Sequence, residues 1–356
     1  MTSKNGEPER YIEKAYPLNM DDSNYRFYRW KRQMYKMQIQ VKHKKGDEMK
    51  EKTRFGFNLS KRLCVVCGIC LCLTLAVSGV YAGKGSMASP LFVEARYLMD
   101  HLEQVVVVDA RSEKAYKKGH IPGAVSAPWQ PFTHMDGKPG APGWGVLLSK
   151  TELADAIGAL GIDGSRQLVV YADPPGWGED GRFVWMVMMA GIENVRILDG
   201  GLASWEKAGG QTTRETASPA SLEMGINQWD DSLDATTDWI LANQDQVKIV
   251  DSRSLSEFNG ATKYGEARGG HLPGAVLISF DDMFEKNGIL KSPEELRKLF
   301  ETAGLQPGDP IVTYCTAGIR SAHMALVLRM AGFANARNYD ASFYEWAGMK
   351  DLPLEK

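Results

Sequence analysis

The chain has 356 residues, 42 Lys+Arg against 44 Asp+Glu, 44% hydrophobic and 24% charged residues, and five Cys. This length predicts roughly two domains, and the composition excludes a disordered chain, a collagen-like repeat, a multi-span membrane protein and a disulfide-dense mini-protein. The net charge of -2 hides a basic lead, residues 1–62 with 16 basic and 8 acidic side chains, followed by an acidic body that does not suit a nucleic-acid partner.

Residues 63–82 read LCVVCGICLCLTLAVSGVYA, an uncharged run between a basic flank (Arg54, Lys61, Arg62) and Lys84. About 20 apolar residues can just span a bilayer as a helix. The same run fits the h-region of a signal peptide, with Val80-Tyr81-Ala82 before Gly83 as a cleavage site. A 62-residue lead is too long for an n-region, whereas a start at Met49 leaves a basic one of ordinary length. The expectation is therefore that translation starts at Met49 and that residues 1–48 are not translated; peptides from 1–48 in the cellular protein would exclude it. The alternative is an uncleaved signal anchor. The basic flank favours an inside N-terminus, so both readings export the body to the periplasm, with membrane contact only through 63–82 if it is uncleaved.

Cys64, Cys67, Cys70 and Cys72 all lie in that segment and read as small apolar side chains. After Ala82 only Cys315 is left, and one thiol forms no intramolecular disulfide in an oxidising compartment.

From residue 90 onward the chain repeats itself. Val107-Val108-Asp109-Ala110-Arg111-Ser112 matches Ile249-Val250-Asp251-Ser252-Arg253-Ser254, and Gly119-His120-Ile121-Pro122-Gly123-Ala124 matches Gly270-His271-Leu272-Pro273-Gly274-Ala275. Val169-Val170-Tyr171 pairs with Val312-Thr313-Tyr314, Met189-Ala190-Gly191 with Met330-Ala331-Gly332, and Trp205 with Trp346. The motifs keep their order, which marks a duplicated domain: 90–208, a Gly/Ser/Thr/Asp-rich linker over 209–234, then 235–352. In the second half, short Val/Ile-rich runs predict strands at 247–251, 276–279, 310–315 and 336–339, and amphipathic stretches predict helices at 293–303 and 321–331. Strands alternating with helices predict two three-layer α/β domains with parallel sheets.

Cys315 follows the apolar strand Pro310 to Tyr314; Thr316-Ala317-Gly318-Ile319-Arg320 comes next, and then a helix from about Ser321. In this strand–loop–helix nest, successive backbone N–H groups point at the sulfur and the helix N-terminus adds positive potential. The dipole contributes about 0.3–2 kcal/mol and each hydrogen bond to a charged acceptor about 1.5–3 kcal/mol. One pKa unit is 1.36 kcal/mol, so the nest predicts a thiolate at neutral pH. Gly318 permits the positive φ of a tight loop.

These residues resemble a tandem-domain rhodanese, a sulfurtransferase of the thiosulfate or mercaptopyruvate type. The likeness rests on the paired Asp-x-Arg strand ends, the paired Gly-His-Ile/Leu-Pro-Gly-Ala motifs, Tyr314-Cys315 opening a six-residue loop, and Tyr339-Asp340 with Glu345-Trp346-Ala347-Gly348 near the end. It covers about 90–352. The resemblance implies two similar α/β domains around a cleft, one catalytic Cys (Cys315) in the second, and ping-pong transfer through a persulfide. It implies a small-molecule sulfur donor, a thiol or cyanide acceptor, and no metal or organic cofactor. The six His also show no pairing with Cys at metal-ligand spacing. A monomer is expected, since tandem domains already form the cleft within one chain.

The first half has Tyr171-Ala172-Asp173 where the second has Tyr314-Cys315, so it cannot carry sulfur. Arg320 and Arg253 are the expected donor-binding cations, with Thr316, Ala317, Gly318 and Ile319 as the active-site loop. Arg253 has a structural alternative, because Arg111 sits at the same place in the thiol-free half. That duplication makes His120, His271, Asp109 and Asp251 framework residues. Trp129, Phe132 and Trp144 fit either a cleft wall or ordinary packing. Related phosphatases space their loop as Cys-x5-Arg; here it is Cys-x4-Arg, a smaller cradle. Arg320 favours thiosulfate, a compact dianion, over mercaptopyruvate. A non-enzymatic persulfide carrier of the envelope would use the same Cys315.

Overall fold

A computed structural model describes residues 91–226 and 228–356. The expectations for residues 1–62 and 63–82, including start site, signal peptide and membrane anchor, fall outside the described residues. Among the described residues no helix is long and apolar enough to cross a membrane.

The first domain runs β1 (Phe92–Val93), α1 (Ala95–His101), β2 (Val106–Asp109), α2 (Glu113–Lys118), β3 (Val125–Ser126), α3 (Lys150–Gly158), β4 (Leu168–Tyr171), α4 (Glu179–Met189), β5 (Val195–Leu198) and α5 (Gly201–Lys207). The second runs α6 (Thr237–Asn243), β6 (Lys248–Asp251), α7 (Leu255–Phe258), β7 (Val276–Leu277), α8 (Pro293–Thr302), β8 (Ile311–Tyr314), α9 (Ile319–Met330), β9 (Ala336–Asn338) and α10 (Ser342–Gly348). Their sheets have the orders β1-β5-β4-β2-β3 and β7-β6-β8-β9, and every pairing within them is parallel.

The strands are short apolar runs because both faces are covered. Val108, Val170 and Ile197 enter one core with α3 and α4, while Val107, Val169 and Leu198 enter the other with α1 and α5. The second sheet divides the same way, Val250 and Ile311 facing α8 and α9, Ile249 and Val312 facing α6 and α10. Each buried Val, Leu or Phe contributes roughly 1.5–3 kcal/mol. Helix starts are written locally: Ser149, Ser254 and Ser292 each form a reciprocal capping box with a Glu three residues on, each cap being worth about 1 kcal/mol.

Two sequence expectations change. Helix α9 begins at Ile319, two residues early, because Gly318 at φ +75° already turns the chain into it. Strand β7 has two residues, not four. Residues 209–234, the expected linker, run as a strap along the first domain. Thr213 pairs with His120, Leu222 N–H donates to Gly158 O (2.9 Å), and Met224 and Leu233 are buried in the first core. The strap ends at the second sheet, where Asp234 bridges Asn338 on the edge that β1 occupies in the first sheet.

Helices α4 and α9 pack against each other at the domain boundary, with Ala322 and Leu326 of α9 inside the first core. A Cβ at Gly181 would overlap His323, so the glycine permits this close crossing.

Candidate active site

The repeated motifs build the same frame twice. In the second domain Arg253 donates to Asp251 through Nε (2.9 Å) and Nη2 (2.6 Å), and Nη2 also reaches Gly270 O (2.7 Å). Tyr314 OH donates to Asp251 (2.6 Å) and accepts Leu272 N–H (3.1 Å). In the first domain Arg111, Asp109, Gly119, Tyr171 and Ile121 repeat these bonds. His120 and His271 stack on Tyr116 and Phe258 and bond the same residues' carbonyls. These motifs fasten the strand ends that carry the loop.

One difference sits inside the frame. Arg111 turns Nη1 toward Asp173 (3.6 Å), whereas Thr316 stands at the corresponding place in the second domain. The Arg253 side chain is fully buried, its face 3.8 Å from the centre of the Phe343 ring, and its Nη1 is a buried donor without a hydrogen-bond partner among the described residues.

Cys315 follows β8 and is 2% exposed. Its N–H donates to Ser342 Oγ (2.8 Å), and Ser342 Oγ donates back to Cys315 O (3.1 Å). Ser342 adopts φ +56°, a strained value for a non-glycine residue, and this pair of bonds holds it there. Ser321 Oγ lies 3.6 Å from the sulfur and donates to Asn338 Oδ1 (2.7 Å). Burial alone would push the Cys315 thiol up; the Arg320 guanidinium and the N–H groups of Ser321 and Ala317 outweigh it and hold the thiol below its ordinary value.

Arg320, in the first turn of α9, is not a bare cation facing the donor, as the sequence suggested. It forks onto Glu257, Nη2 to Oε1 at 2.8 Å and Nη1 to Oε2 at 3.1 Å, and lies over the Trp177 ring. Burial would raise Glu257, but Arg320 and Ser254 bring it down to about 2. Thr316 Oγ1 joins the pair, donating to Glu257 (3.0 Å) and accepting from Arg320 (3.1 Å). Arg320 therefore acts on the thiol from inside a neutral ion pair. Ile319 is the first residue of α9, not part of the loop.

The loop is also held from outside. Phe343 N–H donates to Cys315 O and Tyr344 N–H to Thr316 O, both at 3.1 Å. Gly318 O accepts from Asn338 Nδ2 and from Arg182 Nη1 of the first domain, both at 3.3 Å. Phe132 is core, its ring edge-on to Phe183. Trp144 stands edge-on to both Trp129 and Tyr344 and so spans the domain boundary. Burial, Glu266 and the nearby sulfur push Tyr344 up to about 12.

Sequence reading missed Glu257, Ser342 and Arg182. Glu257 was visible as the third residue of a capping box, which hid its second use. Ser342 and Arg182 carried no local signal. Among the described residues no group of three or more His, Cys, Asp or Glu could hold a metal ion.

The family model described as Rhodanese-like domain matches residues 94–208 and 236–349. The sulfur carrier protein TtuD of Thermus thermophilus is 31% identical over 282 residues, 75% of this chain and 96% of that protein. The thiosulfate sulfurtransferases of Azotobacter vinelandii and Pseudomonas aeruginosa are 31% and 30% identical over 270 residues, 75% of this chain and 97% of each relative. Among solved structures, wild-type EanB superposes with a TM-score of 0.67 at 21% identity, over 75% of this chain and 69% of that one. An anaerobic ergothioneine biosynthesis enzyme from Chlorobium limicola with trimethyl histidine does so at 0.67 and 20%, over 75% and 70%. At these identities the structural likeness speaks to the fold alone.

Proposed function

The chain belongs to the rhodanese family as a tandem-domain sulfurtransferase, and from that premise we propose that Cys315 carries sulfane sulfur from thiosulfate to a thiophilic acceptor. The observation that carries this is the nest: a buried thiol held below its ordinary value by Arg320, Ser321 and Ala317, with alanine at the same place in the other domain. The Cys315 thiolate attacks the outer sulfur of thiosulfate, the new S–S bond forms as the old one breaks, and sulfite leaves with its electron pair. The persulfide anion stays in the nest. Cyanide, or a thiolate in the cell, attacks its outer sulfur and restores the Cys315 thiolate.

Thiosulfate is favoured by the names of several relatives near 30% identity and by the spare Nη1 donor of Arg253. It is not favoured by Arg320, whose charge Glu257 already balances. The carrier reading has one relative on its side; at 2% exposure, Cys315 suits a small donor better than a bulky partner. Export of the body to the periplasm belongs to this proposal too, tested by fractionation and N-terminal sequencing.

The test is intact mass before and after thiosulfate or 3-mercaptopyruvate, beside turnover to thiocyanate. One added sulfur on Cys315 with turnover from thiosulfate supports the proposal. Loading only by mercaptopyruvate transfers the assignment to that donor. Loading by neither leaves the carrier reading.

A further inference from the structure

A thiolate nest has a reverse side. When a loop turns its N–H groups inward, its carbonyls turn outward, and buried carbonyls need donors. Around Cys315 those of Cys315 and Thr316 are met by the N–H groups of Phe343 and Tyr344 within the same domain. That of Gly318 accepts the Ala322 N–H of α9 and Asn338 Nδ2 from its own domain, and a third donor, Arg182, reaches it from helix α4 of the domain without a thiol, all at 3.3 Å.

Arg182 is 1% exposed. Its Nη1 pairs with Asp340 Oδ1, its Nη2 donates to Gly145 O at 3.3 Å, and its face lies over Trp185. The other oxygen of Asp340 accepts Leu147 N–H at 2.8 Å. Segment 145–147, Arg182 and Asp340 thus form one buried cross-strap between the domains. Gly318 sits beneath it with no room for a side chain, since a Cβ there would overlap Asp340 O.

The geometry points to Arg182 as a positioning residue for sulfur transfer: a guanidinium lent by the silent domain adds a cross-domain donor to the Gly318 carbonyl, ties it to Asp340 and segment 145–147, and so steadies the loop N–H groups and the start of α9 on the sulfur. This rests on the reading of Cys315 as the sulfur-carrying residue. Arg182 touches neither thiol nor donor in this role, and its effect passes through the loop. Misplacing a reacting group by about 1 Å can cost up to about 10²-fold in rate, so a smaller shift of the loop against the domain boundary still registers in kcat.

The test uses the full-length chain. Arg182→Met with Asp340→Asn removes the guanidinium and its counter-charge together, so no charge is stranded in the interface. In the thiosulfate–cyanide assay, kcat should fall about tenfold or more while donor KM stays within about twofold. The midpoint of Cys315 alkylation against pH, read on the Cys315 peptide by mass spectrometry, should rise by about half to one unit. Arg182→Lys keeps the charge beside Asp340 without a fork to reach Gly318; it should show the same rise at the wild-type melting temperature, and it decides the matter if the double variant does not fold. Wild-type kcat and an unmoved alkylation midpoint in a folded variant overturn the role. Failure of the unaltered chain to load sulfur on Cys315 overturns the reading beneath it instead.

Discussion

In the first domain Tyr171, Asp109 and Arg111 meet as Tyr314, Asp251 and Arg253 do in the second, bond for bond. The correspondence extends to the domain boundary. Asp340 caps Leu147 N–H at 2.8 Å, and Asp199, 141 residues earlier, caps Leu290 N–H at 2.9 Å. Counting back from the matched Met-Ala-Gly triplets, Arg182 and His323 are partners in the repeat, and each reaches the other domain, Arg182 to Asp340 and His323 to Asp180 (3.0 Å).

Against that sameness, the differences gather at the loop. Ala172 stands for Cys315, Asp173 for Thr316 and Ala115 for Glu257. Both helices are capped by a glycine with positive φ, but α4 opens with Glu179-Asp180 and α9 with Ile319-Arg320. Acids at a helix start neutralise its positive end. The first domain spends that potential on its own carboxylates; the second keeps it for the sulfur. Duplication preserved the scaffold, and chemistry required clearing acids from one loop and placing an arginine there under restraint by Glu257.

The largest test of this contrast is a pair of substitutions. Cys315→Ser should lower transfer on the order of 10⁴-fold or more with the melting temperature unchanged, whereas Ala172→Cys should give a thiol that alkylates only at alkaline pH and carries no sulfur. Transfer by the Ala172→Cys chain in a Cys315→Ser background would break the comparison.

Next, Arg111→Met and Arg253→Met should each cost about 3–5 kcal/mol by stranding a buried aspartate, measured by denaturant unfolding. Only Arg253→Met should also raise the KM for thiosulfate, because Arg111 has its third partner in Asp173 and Arg253 has a spare donor. An equal rise in both would make Arg253 purely structural.

Glu257→Gln should cost about 1.5–3 kcal/mol, and by leaving Arg320 unbalanced it should lower the pH midpoint of Cys315 alkylation. An unmoved midpoint would mean that Arg320 acts by packing and not by charge.

The smallest effect is expected at the sheet edge. Burial and the neighbouring Asp340 push Asp234 up to about 7, whereas the first domain has the apolar Phe92 at the same edge. A raised acid binds its proton more tightly folded than unfolded. Its contribution to stability is therefore full below about 4 and lost as pH rises through about 7. Asp234→Asn should gain melting temperature relative to the unaltered chain at pH 8 and not at pH 4; an equal shift at both would remove the linkage.

Much of this was legible in the residue string. The duplicated Asp-x-Arg and Gly-His motifs gave the frame, because each lies within one strand end or turn and its bonds are local. Cys315 and the Gly318 turn were legible for the same reason. The partners of Arg320 were not: Glu257 lies 63 residues away, and its one local partner is Ser254 in the capping box of α7. The linker over 209–234 also bonds to His120 and Gly158, which its polar composition does not announce.

The sequence by itself determined two copies of a parallel α/β scaffold and one thiol at a strand–helix junction, since hydrophobic period, turn chemistry and cysteine placement are written along the chain. Only the tertiary structure decided which charges were already balanced and which side chains of the silent domain reach the loop. Ion pairing depends on distances across folded elements, and periodicity along a chain says nothing about who faces whom across an interface.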